Sequence, residues 1–329
     1  MTLAIVRAVI CKELGPPESL VVEDLPEPEV GKGQVRIGVK AAGVNFPDTL
    51  LIQGKYQFKP SGAFSPGGEV AGVVEEIGEG VEGVAVGDHV IAAFPFGGWR
   101  EQVVVDPAQT IPIPKSVPFD VAASFYQAYG TSHYALKDRA NLREGETLAV
   151  LGAAGGVGLA AVEIGKVMGA RVIACASTDD KLALCKEHGA DEVINYATED
   201  LKKRLKALTG GNGADVVYDP VGGDYSEQAL RATAWYGRYL VVGFAAGDIP
   251  SIPLNLVLLK SCQVCGVFWG SFAMRDRERN LAHVSELMSW LEAGKLKPNI
   301  HERYAFEDAS KALNAMMNRQ VRGKVVLVP

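Results

Sequence analysis

Residues Thr147–Gly158 read T-L-A-V-L-G-A-A-G-G-V-G, and no other stretch narrows the fold as far. Leu148, Ala149, Val150 and Leu151 form an apolar run that fits a buried strand. The run enters a glycine-dense turn, and the turn opens a helical segment over Leu159–Met168. Strand, glycine turn and helix are the geometry that sets a pyrophosphate on a helix N-terminus. Small residues let backbone N–H groups close on the phosphates, and the helix dipole favours negative charge there. The fingerprint is A-x-G-x-x-G, made by Ala153, Gly155 and Gly158, with alanine in place of the first glycine. A turn that uses glycine for packing alone is the competing reading.

A second strand is expected next, with an acidic residue for the ribose 2′-hydroxyl roughly 20 residues after the motif. The strand is Arg171–Ala176, but Ser177 follows it, with Lys181 one helical turn further on. A carboxylate there repels a 2′-phosphate, whereas a hydroxyl and an ammonium accept one. The sequence therefore favours NADPH over NADH. Asp179 and Asp180 remain rival contacts for the ribose, and a solvated helix position is the alternative for Lys181.

Around this motif the chain alternates strand and helix. Strands are expected at Thr147–Leu151, Arg171–Ala176, Glu192–Asn195, Ala214–Tyr218, Arg238–Phe244 and Gln263–Phe268, with helices at Asp180–His188 and Thr198–Leu208. Such alternation means a parallel, doubly wound α/β sheet. The earlier residues read differently, as short strands (Val35–Lys40, Gly72–Ile77, His89–Phe94) broken by Gly and Pro. After Phe268 come two expected helices, Met274–Ala293 and Phe306–Asn318, and a closing strand, Lys324–Val328. A lone strand needs a sheet, so the C-terminus is expected to rejoin the first domain. The expected division is a discontinuous β-rich domain, 1–125 with 270–329, and a nucleotide domain, 126–269, with a cleft between them.

The 329 residues suit two domains, and 48% hydrophobic with 22% charged residues is ordinary for a soluble globule. A net charge of −6 argues against nucleic acid, and Lys202-Lys203-Arg204 reads as a solvated helix face. No apolar run is long enough to span a membrane, and no secretory segment opens the chain. Five cysteines fit a reducing, cytoplasmic setting. Cys262 and Cys265 form C-x-x-C inside a strand pattern, where alternation sends them to opposite faces as buried thiols.

Four segments carry a resemblance to a known family: Ala42–Asp48 (A-G-V-N-F-P-D), Pro66–Val74 (P-G-G-E-V-A-G-V-V), Gly87–Val90 (G-D-H-V) and Gly152–Gly158 (G-A-A-G-G-V-G). In order and spacing the chain resembles the medium-chain dehydrogenase/reductase superfamily, in its zinc-independent quinone oxidoreductase branch, which includes the zeta-crystallin-like proteins. The resemblance implies a Rossmann domain and a GroES-like catalytic domain. Ala149 and Glu163 depart from the branch pattern of Leu and Gln and read as packing variants. Zinc enzymes of the superfamily carry Cys at the position of Asn45, His at that of Gly68, and a four-cysteine lobe that this chain lacks. Glu69 alone cannot hold a catalytic zinc. His89 is expected to be a satisfied structural histidine, and no metal is expected.

Without a Lewis acid, hydride transfer suits an acceptor that is already electron-poor, a quinone or an α,β-unsaturated carbonyl. A donor at the developing oxyanion still helps. Asn45, at the family's metal-ligand position, and Tyr56, whose hydroxyl can donate a proton, are the catalytic candidates. The alternatives are a capping amide for Asn45 and a cleft-lining aromatic for Tyr56. The resemblance implies cofactor contacts at Asn45 and Thr131, at Gly155, Gly156 and Val157 for the pyrophosphate, and at Ser177, Lys181 and Tyr196 for the adenosine phosphate. It adds Gly243 and Phe244 at one strand end, Phe268, Trp269 and Gly270 at the next, and Arg319 or Lys324 toward the 2′-phosphate. An NADPH-dependent quinone or enone reductase is the leading expectation. An enoyl-thioester reductase is the second, and a low-turnover NADPH-binding structural or RNA-binding protein the third. A homodimer is expected, paired through the apolar strand Val264–Trp269.

Overall fold

The computed structural model describes residues 4–329. The chain divides into two compact units, one running to Gln127 and resuming at Pro298–Pro329, the other Ala128–Lys297. The first opens with an antiparallel pair, β1 (Ile5–Cys11) and β2 (Leu20–Pro26). Its main sheet uses β3 (Val35–Val44), β4 (Glu69–Ile77), β5 (His89–Ala93), β6 (Gln102–Val105) and β7 (Thr110–Pro112). The alternation that burial requires brings Val35, Ile37, Val39, Val70, Val74 and Val90 into one core beneath Trp99 and Phe306.

The second unit carries a six-stranded parallel sheet. Its strands are β8 (Thr147–Leu151), β9 (Arg171–Ala176), β10 (Glu192–Asn195), β11 (Ala214–Asp219), β12 (Thr233–Val241) and β13 (Gln263–Gly266). The order β10-β9-β8-β11-β12-β13 is the doubly wound pattern, with its switch point between β8 and β11. The chain then rejoins the first unit through β14 (Ile300–Ala305) and β15 (Lys324–Val328). β15 runs antiparallel to β3, with Val326 opposite Gly43, which is the return expected of a lone terminal strand. No described helix is long and apolar enough to cross a membrane.

Three expectations are corrected. The second unit does not end at 269 but continues to Lys297. The helix Arg277–Glu292 is tied to that unit: His283 Nδ1 lies 3.1 Å from His133 Nδ1, Arg279 pairs with Asp138, and Glu286 with Lys137. The expected helix Met274–Ala293 is two helices, Trp269–Arg275 and Arg277–Glu292, broken where Asp276 accepts from Arg279 N–H and caps the second. Two strands end earlier than expected. β12 stops at Val241 and β13 at Gly266, so Phe268 caps a helix and Trp269 and Gly270 form its first turn.

Candidate active site

In the second unit the turn after β8 is shaped by close backbone approach. A Cβ on Gly158 would lie 2.2 Å from Gly152 O, so the helix Gly156–Val167 can press onto the turn only with glycine there. Gly152 itself has φ +56°. Alanine serves in place of the first glycine because Ala153 is fully buried and its N–H donates to Cys175 O. Gly155 is the N-cap and offers no side chain, so the first N–H groups of the helix receive no side-chain cap. Those donors, with the helix dipole, suit a phosphate. Gly156 and Val157 are half-buried at this end, and Ser132, next to Thr131 on the helix Tyr126–His133, donates to Val157 O at 2.7 Å.

The other nucleotide candidates of this unit line the carboxyl ends of its parallel strands, the edge where such sheets bind ligands. Ser177 follows β9 and Lys181 lies in the next helix, both half-exposed. Asp179, a rival for the ribose, already accepts from Asn195 Nδ2 at 2.9 Å. Tyr196 follows β10 and packs against Tyr225 at 4.3 Å. Gly243 and Phe244 follow β12, and half-exposed Phe268 follows β13. Trp269 is buried, its ring against the site where a Cβ of Gly130 would stand.

In the first unit, four side chains from distant parts of the sequence form one buried cluster. Glu69, fully buried at the start of β4, accepts from Asn45 Nδ2 at 2.9 Å and from Lys324 Nζ at 3.3 Å on Oε1. Its Oε2 accepts from Gln127 N–H at 2.9 Å. Space for that carboxyl exists because residue 43 is glycine; a Cβ there would lie 2.7 Å from Glu69 Cγ. Lys324 Nζ also donates to Asn45 Oδ1 at 2.5 Å and to Val44 O at 3.1 Å. An ammonium only donates and a carboxylate only accepts, so Oδ1 must face Lys324 and Nδ2 must face Glu69. The Asn45 amide is thereby fixed in one orientation, with a second Nδ2 hydrogen to give.

Asp48 completes the cluster, accepting from Asn45 N–H at 2.8 Å and Gly67 N–H at 3.2 Å. Burial pushes its carboxyl up to about 7, against the opposing pull of those N–H groups and Lys324. Tyr56 is half-buried against this core, 5.9 Å from the ring of Phe58. Burial, then the nearby Asp48 charge, raises its phenol, so the hydroxyl keeps its proton near neutral pH.

Lys324 is therefore not an outward phosphate contact as expected. It is 5% exposed and held by three oxygens of the first unit, which leaves no free donor surface for a 2′-phosphate. Arg319 is exposed after the last helix, with φ +58°. His89 stands at the start of β5 against Phe119, but its buried Nδ1 has no partner among the described residues, so it is packed rather than satisfied. Both C-x-x-C thiols are free and buried. Glu163, expected as a packing variant, is a buried anchor: it accepts from Tyr129 Oη at 2.7 Å and Lys297 N–H, and lies 2.6 Å from His188 Nδ1. Asp219 was also missed. It accepts from Val221 and Gly222 N–H and from Ser226 and Tyr239 hydroxyls, shaping the turn after β11. An acid at a strand end followed by Pro220-Val221-Gly222-Gly223 was the available signal.

A zinc ion does not fit the first-unit cluster. Asn45 and Gly68 replace sulfur and nitrogen donors, and the Lys324 ammonium already occupies the cationic place beside Glu69.

Residues 31–115 match the alcohol dehydrogenase GroES-like domain family, and residues 156–289 the zinc-binding dehydrogenase family. A quinone oxidoreductase-like protein 2 homolog of Nematostella vectensis is 41% identical over 98% of this chain and 88% of its own length. The quinone oxidoreductase of Pseudomonas syringae pv. tomato superposes with TM-score 0.90 at 34% identity, over 98% of this chain and 100% of that one. The Escherichia coli quinone oxidoreductase, solved in complex with NADPH, gives TM-score 0.90 at 28% identity over 98% and 100%. With both domains matched and a relative of this identity spanning almost the whole chain, the protein belongs to the quinone oxidoreductase family of the medium-chain dehydrogenase/reductase superfamily.

Proposed function

We propose that this protein reduces a quinone or an α,β-unsaturated carbonyl with NADPH and without a metal. The observation that carries the reading is the Asn45 amide, fixed between Lys324 and Glu69 where zinc enzymes of the superfamily place a ligand. NADPH, when bound, supplies the hydride. The chain's residues bind and orient: Gly155, Gly156 and Val157 take the pyrophosphate on helix N–H groups, and Ser177, Lys181 and Tyr196 the adenosine phosphate. Thr131, Gly243, Phe244, Phe268, Trp269 and Gly270 shape the rest of that edge, and Arg319 is a further candidate contact. The complex of the E. coli relative supports this choice of cofactor.

Asn45 offers its remaining Nδ2 hydrogen to the oxygen that gains charge, and Tyr56 offers its phenolic proton. A quinone or enone delocalises the added charge onto oxygen, so a neutral donor suffices where a simple ketone needs a Lewis acid. The sheet ends at β13, where Val264 and the neighbouring Leu258 and Leu259 are exposed. We read this edge as a homodimer contact, to be checked by light scattering.

The test is a substrate panel. Rapid NADPH oxidation with 9,10-phenanthrenequinone but not crotonyl-CoA is expected. The reverse pattern makes the protein an enoyl-thioester reductase, and tight NADPH binding with neither activity makes it a binding protein. Tyr56→Phe is expected to slow enone reduction by about 10²-fold at unchanged NADPH affinity. Exhaustive chelation should leave the rate intact, and stoichiometric zinc in the purified protein contradicts the reading.

A further inference from the structure

Two half-buried guanidinium groups in this protein are neutralised by carboxylates. Arg36 pairs with Glu27 and Glu76, and Arg238 with Glu146, at side-chain exposures of 16% and 13%. Arg100 is not one of them. It is half-buried, forms no ion pair among the described residues, and its buried Nε has no hydrogen-bond partner there. Burial lowers its affinity for a proton, and no carboxylate offsets that. A desolvated, unpaired charge is costly, so such a group is expected where an anion arrives from outside.

The surroundings say what kind of anion. Arg100 lines a cleft of about 400 Å³ within the first unit, beside Phe64, Phe94 and Phe96. Phe64 and Phe96 meet edge-to-face at 5.8 Å, making an aromatic wall. Gln102, the first residue of β6, lines the same cleft. Its Nε2 donates to Glu75 at 2.8 Å, which turns Oε1 away as a buried acceptor without a partner. A cation, an unfilled acceptor and an aromatic wall thus converge on one space. Neither Asn45, Glu69 and Lys324 nor any candidate nucleotide contact lines it.

We propose that this cleft is a second ligand site, which takes a small molecule with a carboxylate or phosphate on a flat apolar body. The guanidinium fork grips the oxyanion in two parallel N–H···O bonds, as its geometry favours. The apolar body lies on Phe64 and Phe96. A ligand that also carries a hydroxyl or amide N–H satisfies Gln102 Oε1 and binds tighter.

The experiment is calorimetric titration of the NADPH-saturated protein, so that the nucleotide phosphate contacts are already filled. The probes are benzoate, phenyl phosphate and neutral benzyl alcohol. Benzoate or phenyl phosphate is expected to bind, and the stronger of the two identifies the oxyanion. Arg100→Met should weaken that binding about tenfold or more, with Arg100→Lys between. Binding unchanged in Arg100→Met, equal binding of benzyl alcohol, or no binding of either anion overturns the proposal. Should Arg100→Met fail to fold, crystals of the wild-type protein soaked with 4-bromobenzoate decide. Bromine anomalous density between Arg100 and Phe96 supports the site, and its absence there overturns it.

Discussion

The nucleotide edge of the second unit and the charged cluster of the first are built by opposite means. At the nucleotide edge the work is done by backbone. One short segment supplies the turn, the uncapped helix N–H groups and the close approach at Gly158. In the first unit it is done by side chains that the chain gathers from far apart: Lys324 reaches Asn45 across 279 positions. The first kind of site is sensitive to an added atom, the second to a missing charge. Buried ion pairs contribute little net stability, yet removing one partner strands the other. The Glu69–Lys324 pair therefore reads as a device for orienting Asn45 rather than for holding the fold.

The largest effect should come from Lys324→Met, which leaves the fully buried Glu69 carboxylate without its ammonium. We expect a loss of about 3–5 kcal/mol in denaturant unfolding, partly recovered when Glu69→Gln is added. A loss under about 1 kcal/mol would show that the pair is solvated. Gly158→Ala comes next, because the new methyl meets Gly152 O at 2.2 Å. It should cost about 1–3 kcal/mol and weaken NADPH binding in a fluorescence titration. Gly155→Ala, whose methyl would lie 3.4 Å from the same oxygen, should stay within about 0.5 kcal/mol. Equal effects at the two glycines break the claim that backbone approach shapes the turn.

Lys181→Glu should weaken NADPH about tenfold more than NADH. A matched fall for both removes Lys181 from the 2′-phosphate. The smallest effect is a dependence on pH. Asp48 keeps its proton to about 7 when folded but to only ~3.9 when unfolded. The unfolded chain thus releases the proton first, and stability is lost as pH rises from there through 7. Asp48→Asn lacks this loss, so relative to the wild type it should be more stable at pH 8 than at pH 5. A difference that does not change with pH removes the buried proton.

Much of the second unit was legible because its signals are local. β8, β9 and β10 lie on the apolar runs where they were expected, since a strand needs only its own alternation or run of apolar residues. The terminal strand Lys324–Val328 was legible for the same reason, and its need of a neighbour returned it to the first unit; that its neighbour is β3 was not legible. The unit boundary was not. The helix Arg277–Glu292 stays with the nucleotide unit through His283, Arg279 and Glu286, and their partners His133, Asp138 and Lys137 lie over a hundred positions away. Glu163 was misjudged likewise, because its tie to Lys297 spans 134 positions.

By itself the sequence determined the doubly wound sheet, the glycine turn and the residue types that stand where zinc ligands would. Those follow from short-range sterics and from the period of apolar side chains, which each segment carries within itself. It took the folded chain to turn Lys324 inward onto Asn45, to bury Asp48 enough to keep a proton, and to leave Arg100 without a counter-ion among the described residues. The partners of a buried charge are chosen by which strands the fold lays side by side, and no local pattern records that choice.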